Sequence, residues 1–169
     1  MEEAAHGRRM AVCPAGGSAG RFCVREGRKG MKGILEKRLL FVCTGNTCRS
    51  PMAAALWRRR GGRADSAGLA VREGESASRY AALAAAERGG DLSAHFAHGV
   101  TEADVAAADR VYGLTEGHAA ALRARFPQWA DRIGALPLSV SDPFGGDMED
   151  YRRCAEVIDR ALDALAGGA

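Results

Sequence analysis

The amino-acid sequence predicts an α/β fold in which a four-stranded parallel sheet carries helices on both faces, a three-layer arrangement. The first observation is that short apolar stretches alternate with longer helical segments through residues 35–169, a pattern typical of strands joined by helical crossovers. The second is the run Leu-Leu-Phe-Val at residues 39–42, which is apolar at consecutive rather than alternate positions. Such a run suits a strand that is buried on both faces, as in a parallel sheet.

The first helix is predicted over residues 52–60, after this strand and a tight loop. Ser50 is expected to cap the helix, because its hydroxyl can accept a hydrogen bond from a free backbone N–H. Pro51 then suits the first helical position, where no backbone N–H is needed. Gly61-Gly62 ends the helix.

The middle of the chain continues the alternation of strand and helix. Residues 63–69 are predicted to form the second strand, and the alanine-rich residues 76–88 a helix that Gly89-Gly90 closes. The sequence Thr-Glu-Ala-Asp at residues 101–104 resembles a capping box, so a short helix is expected to start there.

The last third supplies two more strands and two more helices. Residues 110–114 form the third predicted strand, and Thr115 is expected to cap a helix that runs to Phe126, just before a proline. Residues 133–138 form the fourth predicted strand. Residues 148–165 are predicted to form a closing amphipathic helix, with Tyr151, Val157, Ile158, Leu162 and Leu165 on its apolar side.

Residues 35–169 are expected to form one domain, and residues 1–34 a disordered N-terminal extension. A chain of 169 residues and 17.8 kDa is long enough to bury a core in a single domain. The first 34 residues contain the glycine-rich sequence AGGSAG and scattered charges, with no sustained strand or helix periodicity.

The loop between the first strand and the first helix predicts a phosphate site. Cys43 and Arg49 are spaced as Cys-x5-Arg, and the loop wraps around a helix N-terminus, where free N–H groups favour an anion. Gly45 lets the backbone approach a ligand closely, and Asn46 tolerates a left-handed conformation. Arginine can hold two phosphate oxygens at once. A phosphate held by Arg49 and the loop would then face the thiol of Cys43, which could attack phosphorus as a nucleophile.

The segment VCTGNTCRSPMA at residues 42–53 closely resembles the signature of the low-molecular-weight protein-tyrosine phosphatases, and the segment DPFGG at 142–146 resembles that family's acid loop. In element order the resemblance covers roughly residues 38–167. It implies the strand order 2-1-3-4, Cys43 as the nucleophile, Arg49 as the phosphate clamp and Asp142 as the general acid. It also implies that Asn46 and Ser50 shape the loop and stabilise the thiolate. The further residues implied to bind substrate are Thr44, Gly45, Asn46, Thr47, Cys48, Ser50 and Phe144.

Two features of the signature resemble the bacterial protein-arginine phosphatase branch. In tyrosine-directed members the loop position of Thr47 usually holds isoleucine or a similar apolar residue, and the acid loop reads Asp-Pro-Tyr or Asp-Pro-Trp. Thr47 is β-branched and carries a hydroxyl, so it can narrow the pocket against a phenyl ring and hydrogen-bond a nitrogen. The resemblance therefore implies phosphoarginine in proteins as the substrate, with phosphotyrosine as the alternative. Neutral drift at a tolerant position is the other explanation for Thr47.

Two further functions could use the same residues. A thioredoxin-coupled arsenate reductase uses a similar loop but needs two more cysteines on a mobile segment in the second half of the chain, where only Cys154 is found. A non-enzymatic module that binds phosphoproteins would not need Cys43, Arg49 and Asp142 together. Both functions are therefore less favoured than phosphatase activity.

The cysteines indicate a reducing, cytoplasmic setting. There are five, an odd number, without the spacing of a disulfide framework or a zinc site. Cys48 lies inside the phosphate loop and has two possible roles. It could form a disulfide with Cys43 under oxidant and so protect the nucleophile, or it could be a small packing residue under the loop.

Composition limits the other partners. The net charge of +3 and pI of 8.7 come with scattered arginines rather than a nucleic-acid-binding block, and no apolar run is long enough to span a membrane. Phosphorylated proteins are the expected partners of a monomer that uses neither metal nor cofactor. His95, His98 and His118 have no partner identifiable from sequence and are expected to be surface or packing residues.

Overall fold

The computed structural model describes residues 33–167, and the prediction for residues 1–32 lies outside that range. A helical turn at residues 33–35 precedes the first strand, and Ile34 within it is buried in the core. The elements that follow are β1 (Arg38–Cys43), α1 (Arg49–Arg59), β2 (Arg63–Gly68), α2 (Arg79–Glu87), α3 (Glu102–Ala107), β3 (Arg110–Gly113), α4 (Glu116–Arg125), a 3₁₀ helix (Pro127–Arg132), β4 (Ile133–Ala135) and α5 (Met148–Gly167).

All strand pairs in the sheet are parallel, and the strand order is β2-β1-β3-β4. The prediction of a four-stranded parallel sheet in the order 2-1-3-4 is confirmed. Since β1 lies in the interior of the sheet, Val42 is in register with Ala67 of β2 on one side and Gly113 of β3 on the other. The loops that leave β1 and β3 consequently meet at the carboxyl edge of the sheet.

Side chains of β1 alternate between two hydrophobic clusters, one on each face of the sheet. Leu39 and Phe41 pack with residues of α1, α2 and α5, including the fully buried Trp57. Leu40 and Val42 pack with residues of α3 and α4, including Leu122. The consecutive apolar run therefore forms a strand buried on both faces, as predicted, and each such side chain contributes about 1.5–3 kcal/mol by burial.

Helix α5 closes the first cluster. Tyr151, Ile158 and Leu162 are buried in it, and Val157 and Leu165 pack against it while partly exposed, which confirms the predicted apolar side. This helix has 20 residues, but its other face is polar. In residues 33–167 no helix is both long enough and apolar enough to cross a bilayer.

The predicted helix starts are correct at two positions. Thr101 and Asp104 form a complete capping box, and the Thr115 hydroxyl accepts a hydrogen bond from the backbone N–H of His118. The predicted helix at residues 76–88 starts later, at Arg79, because the Ser78 hydroxyl caps it by accepting from the Ala81 N–H. The Ser78 backbone N–H also donates to the Thr47 carbonyl at 2.8 Å, which fixes the entry of α2 against the phosphate loop.

The chain around β4 differs from the prediction. The strand ends at Ala135 rather than at residue 138, and it is preceded by a 3₁₀ helix that was not predicted. Pro127 begins that short helix, since its fixed φ suits a first helical position.

Candidate active site

The loop after β1 begins at Cys43, the last residue of β1, and ends at Arg49, the first residue of α1. It lies at the carboxyl edge of the sheet, where ligands bind in open parallel folds. Only 2% of Cys43 is exposed. Its Sγ lies 3.0 Å from the Ser50 hydroxyl.

The prediction that Ser50 caps α1 is wrong. The N-cap residue is Cys48, it makes no side-chain capping hydrogen bond, and Pro51 consequently lies at the third helical position. The Ser50 hydroxyl points into the loop instead, within hydrogen-bonding distance of Cys43 Sγ (3.0 Å) and of the Ala67 carbonyl (3.2 Å). Because no side chain caps α1, its first N–H groups stay available for an anion.

Asn46 is fully buried and holds the shape of the loop. Its φ of 55° makes it the one non-glycine residue with a positive φ among residues 33–167. Its amide Nδ2 donates to Ser50 Oγ at 2.9 Å and to Ser66 Oγ at 3.0 Å, while its Oδ1 accepts from the His98 backbone N–H at 3.1 Å. Its carbonyl accepts from His95 Nε2 at 2.7 Å. These bonds compensate for a left-handed conformation that costs about 1–2 kcal/mol in other residues.

Arg49 and Asp142 form an ion pair over the loop. Arg49 Nη2 lies 2.6 Å from Asp142 Oδ2, and Arg49 Nη1 donates to the Val140 carbonyl at 3.3 Å. The Arg49 side chain is buried, whereas about half of the Asp142 side chain is exposed. Asp142 Oδ1 also accepts from the Phe144 backbone N–H at 3.2 Å, which orients the carboxylate toward the loop.

A cavity of about 370 Å³ opens above Cys43, and we refer to it as the catalytic cavity. Eight of the ten predicted site residues line it, and Asn46 and Ser50 lie beneath the loop that forms its floor. Three lining residues that were not predicted from the sequence lie on the segment after β2, namely Ala70, Arg72 and Glu75. The complete lining is Cys43, Thr44, Gly45, Thr47, Cys48, Arg49, Ala70, Arg72, Glu75, Asp142 and Phe144.

His118 joins the loop after β3 to the phosphate loop. Its Nε2 lies 3.1 Å from Thr44 Oγ1 and its Nδ1 lies 2.9 Å from Thr115 Oγ1. Burial lowers the pKa of His118, and the nearby Arg49 charge lowers it further, against a smaller opposing effect of Asp142. The sequence identified no partners for the three histidines, whereas in the fold His95 and His118 both contact the phosphate loop and His98 lies near Asp104. Buried His118 is a packing residue, as expected, but one that also joins the loop.

The chain matches the family described as low molecular weight phosphotyrosine protein phosphatase over residues 38–168. The chain belongs to this family. The predicted family resemblance is thereby confirmed, and with it the predicted cysteine-based phosphatase class.

Individual relatives include enzymes of both specificities. The protein-arginine-phosphatase of Geobacillus stearothermophilus is 39% identical over 139 residues, which cover 76% of this chain and 93% of the relative. A low molecular weight protein-tyrosine-phosphatase of Streptomyces coelicolor is 34% identical over 149 residues, covering 76% of this chain and 90% of the relative. The solved arginine phosphatase from Geobacillus stearothermophilus superposes with a TM-score of 0.74 at 37% identity, covering 78% of this chain and 92% of that structure.

Cys48 of this phosphatase is a free thiol buried under the loop. Its Sγ lies 3.4 Å from the Ser78 hydroxyl and 3.5 Å from the Tyr151 hydroxyl. Burial is the largest of the effects that raise the pKa of Tyr151, to about 12. These contacts are compatible with either role considered for Cys48, a packing residue or a partner for an oxidised Cys43.

Cys154 lies in helix α5 beside the acid loop, where its thiol contacts the Ser141 carbonyl at 3.8 Å. Burial raises the pKa of Cys154 to about 12, so the side chain stays a thiol at neutral pH. Cys154 lies in a helix, as predicted. A buried, unreactive helical cysteine argues against a thioredoxin-coupled arsenate reductase, which would need a reactive cysteine on a mobile segment.

Proposed function

We propose that this protein is a protein-arginine phosphatase in which Cys43 is the nucleophile, Arg49 holds the phosphate and Asp142 is the general acid. The observation that carries the proposal is the convergence of these three side chains on one cavity, with Asp142 bonded to Arg49 at 2.6 Å directly above the loop. A phosphate bound by Arg49 and the loop N–H groups would lie between the thiol below and the carboxyl group above.

In the first step, the Cys43 thiolate attacks phosphorus while Arg49 and the loop N–H groups hold the equatorial oxygens. The bond from phosphorus to the leaving nitrogen breaks, and Asp142 gives its proton to that nitrogen. The products are unmodified arginine and a cysteinyl-phosphate. In the second step, Asp142, now ionised, takes a proton from a water molecule that attacks phosphorus. The S–P bond breaks, inorganic phosphate leaves, and the thiolate is restored.

Ser50 is the residue we assign to thiolate stabilisation. Its oxygen accepts a hydrogen bond from Asn46 Nδ2 at 2.9 Å. The hydroxyl proton can therefore be donated either to Cys43 Sγ or to the Ala67 carbonyl. A charged acceptor forms the stronger hydrogen bond, so the proton goes to sulfur when Cys43 is ionised. Asn46 orients this hydroxyl and fixes the loop at the same time.

The charge at the rim of the catalytic cavity supports phosphoarginine over phosphotyrosine. Glu75 and Asp142 both line the cavity, and each is paired with an arginine that lines it too, Glu75 with Arg72 at 3.5 Å and Asp142 with Arg49 at 2.6 Å. The pair with Arg72 is weak because Arg72 is exposed, so the cationic guanidinium of phosphoarginine can replace Arg72 at Glu75. Thr47 lines the same cavity and can hydrogen-bond a guanidinium nitrogen. Phe144, which is 82% exposed, can stack on the guanidinium plane at the entrance.

Phosphotyrosine is the second candidate, because the Streptomyces coelicolor relative is a tyrosine phosphatase and Phe144 could also stack on a phenyl ring. With phosphotyrosine, however, Glu75 would face an uncharged ring and keep only its exposed partner Arg72. Asp142 would still have a leaving oxygen to protonate.

The test compares phosphate release from a phosphoarginine-containing protein with release from a phosphotyrosine protein, using the full chain. The proposal expects faster release from phosphoarginine and no release by Cys43→Ser with either substrate. Preference for phosphotyrosine would overturn the substrate assignment but leave the nucleophile in place. Turnover by Cys43→Ser would overturn the nucleophile.

A further inference from the structure

A second cavity of about 480 Å³ lies next to the catalytic cavity. The two cavities share Thr47, Glu75 and Phe144, so together they form one continuous depression. We call the second cavity the side groove. Its remaining lining is Ser76, Ser78, Tyr80, Gly145, Gly146 and Tyr151.

Two exposed aromatic rings border the side groove. Tyr80 is 39% exposed and Phe144 is 82% exposed, and they account for two of the four large exposed hydrophobic side chains among residues 33–167. Exposed aromatic rings beside a concave surface are characteristic of binding sites, since aromatic side chains contribute much of the energy of protein contacts.

The Tyr80 wall of the side groove is held in place before any ligand binds. The Tyr80 ring packs edge-on against the ring of Tyr151, with centroids 5.6 Å apart and an interplanar angle of 62°. Tyr151 is itself buried in α5, and its hydroxyl lies 3.5 Å from Cys48 Sγ under the phosphate loop. A rigid wall loses little entropy on binding, which favours affinity.

The opposite side of the acid loop offers a poorer surface for a peptide. A cavity of about 530 Å³ there shares Asp142 and Phe144 with the catalytic cavity. Asp150 and Arg153 line it and form an ion pair with each other. Apart from Phe144 it has no aromatic lining residue.

We propose that the side groove binds the substrate polypeptide next to the phosphorylated residue, with Tyr80 and Phe144 contacting the neighbouring side chain. Adjacent Cα atoms lie about 3.8 Å apart, so a chain whose phosphorylated residue enters the catalytic cavity must cross its rim within a residue or two. The rim residues Thr47, Glu75 and Phe144 lead directly into the side groove. The inference rests on the proposed function only in that the substrate is a phosphorylated protein.

The test compares Tyr80→Ala with the wild type on a phosphoarginine peptide and on free phosphoarginine. We expect kcat/KM on the peptide to fall about tenfold, a typical loss for an aromatic contact residue, and kcat/KM on free phosphoarginine to change less than about twofold. Leu83→Ala is the matched control, because Leu83 is on the same helix and 45% exposed but lines neither the catalytic cavity nor the side groove. It should leave both values unchanged.

A second variant keeps the test decisive if Tyr80→Ala weakens the fold by losing its contact with Tyr151. Ser76 is an exposed lining residue of the side groove, so Ser76→Trp fills the groove without removing any packing, and it should reduce peptide turnover selectively. Equal loss on both substrates, or no loss on the peptide, in Ser76→Trp would overturn the proposal. If the enzyme prefers phosphotyrosine, the same comparison of peptide and free amino acid is made with phosphotyrosine. Failure of the substrate assignment and failure of the side groove are thus separate results.

Discussion

Arg49 Nη2 and Asp142 Oδ2 lie 2.6 Å apart above the phosphate loop, so the proposed general acid occupies the guanidinium group that substrate phosphate needs. Phosphate that binds at this nitrogen must therefore replace the carboxylate. Asp142, whose side chain is half exposed, is free to turn toward the leaving group when that happens. The pair thus connects substrate binding to the placement of the acid.

We expect Asp142→Asn to lower kcat by about 10²–10⁴-fold, the usual contribution of a general acid, and to strengthen inhibition by inorganic phosphate. The second effect follows because asparagine carries no charge to compete for Arg49. Steady-state kinetics with phosphate as the inhibitor measures both. Asp131→Asn, at an exposed position in the 3₁₀ helix, is the matched control and should change neither. Weaker phosphate inhibition in Asp142→Asn would contradict the competition.

Asn46 provides a test of the loop's backbone conformation. Asn46→Ala and Asn46→Gly both lose the side-chain bonds to Ser50, Ser66 and His98, but only alanine is strained at a φ of 55°. We expect alanine to destabilise the protein by about 2–4 kcal/mol and glycine to be about 1 kcal/mol milder. Chemical denaturation gives both free energies of unfolding. A glycine variant as unstable as the alanine variant would show that the left-handed conformation is not limiting.

Oxidation distinguishes the two roles of Cys48. If Cys48 protects Cys43, peroxide converts the Cys43 thiolate to a sulfenic acid, and the Cys48 thiol then displaces water to form a disulfide. Wild-type activity should return fully with dithiothreitol, while Cys48→Ser should stay inactive. Cys154→Ser is the control and should behave as wild type, because the buried Cys154 thiol contacts the Ser141 carbonyl and does not line the catalytic cavity. Full recovery of Cys48→Ser would leave Cys48 as a packing residue.

Acid should weaken the fold through His118 and His95, since burial lowers the pKa of both below the ordinary value. An unfolded histidine titrates near a pH of about 6.5, so below that pH the unfolded chain binds more protons than the folded one. These two groups therefore leave the free energy of unfolding unchanged above about pH 7. They reduce it as the pH drops below about 6.5 toward the lowered pKa values of the folded histidines. Thermal unfolding across this range should show a smaller loss in His118→Asn than in wild type. Identical pH dependence would rule out His118 as a contributor.

The signature loop and the order of elements could be predicted because they depend on local patterns. The buried run of β1 and the spacing of Cys43 and Arg49 can be read from one short segment of the sequence. Asp142 can be identified from the sequence of the acid loop. The prediction that Ser50 caps the helix was wrong because it considered only the local preference for serine before proline. In the folded loop the Ser50 hydroxyl points inward to the thiol of Cys43 instead.

The roles of His118 and Glu75 could not be predicted, because they depend on distant segments. Thr44 and His118 are 74 positions apart and meet only because β3 lies beside β1 in the sheet. Glu75 reaches the catalytic cavity through the irregular segment after β2, whose path carries no periodic signal in the sequence.

The most direct test of the proposed substrate measures kcat/KM for two peptides of the same sequence, one with phosphoarginine and one with phosphotyrosine at the same position. It is made on wild type and on Thr47→Ile. We expect wild type to favour the phosphoarginine peptide and Thr47→Ile to shift the ratio toward phosphotyrosine, because isoleucine keeps the β-branch but lacks the hydroxyl proposed to hydrogen-bond the guanidinium. A wild type that favours phosphotyrosine would contradict the substrate assignment. A ratio unchanged in Thr47→Ile would contradict the part given to Thr47.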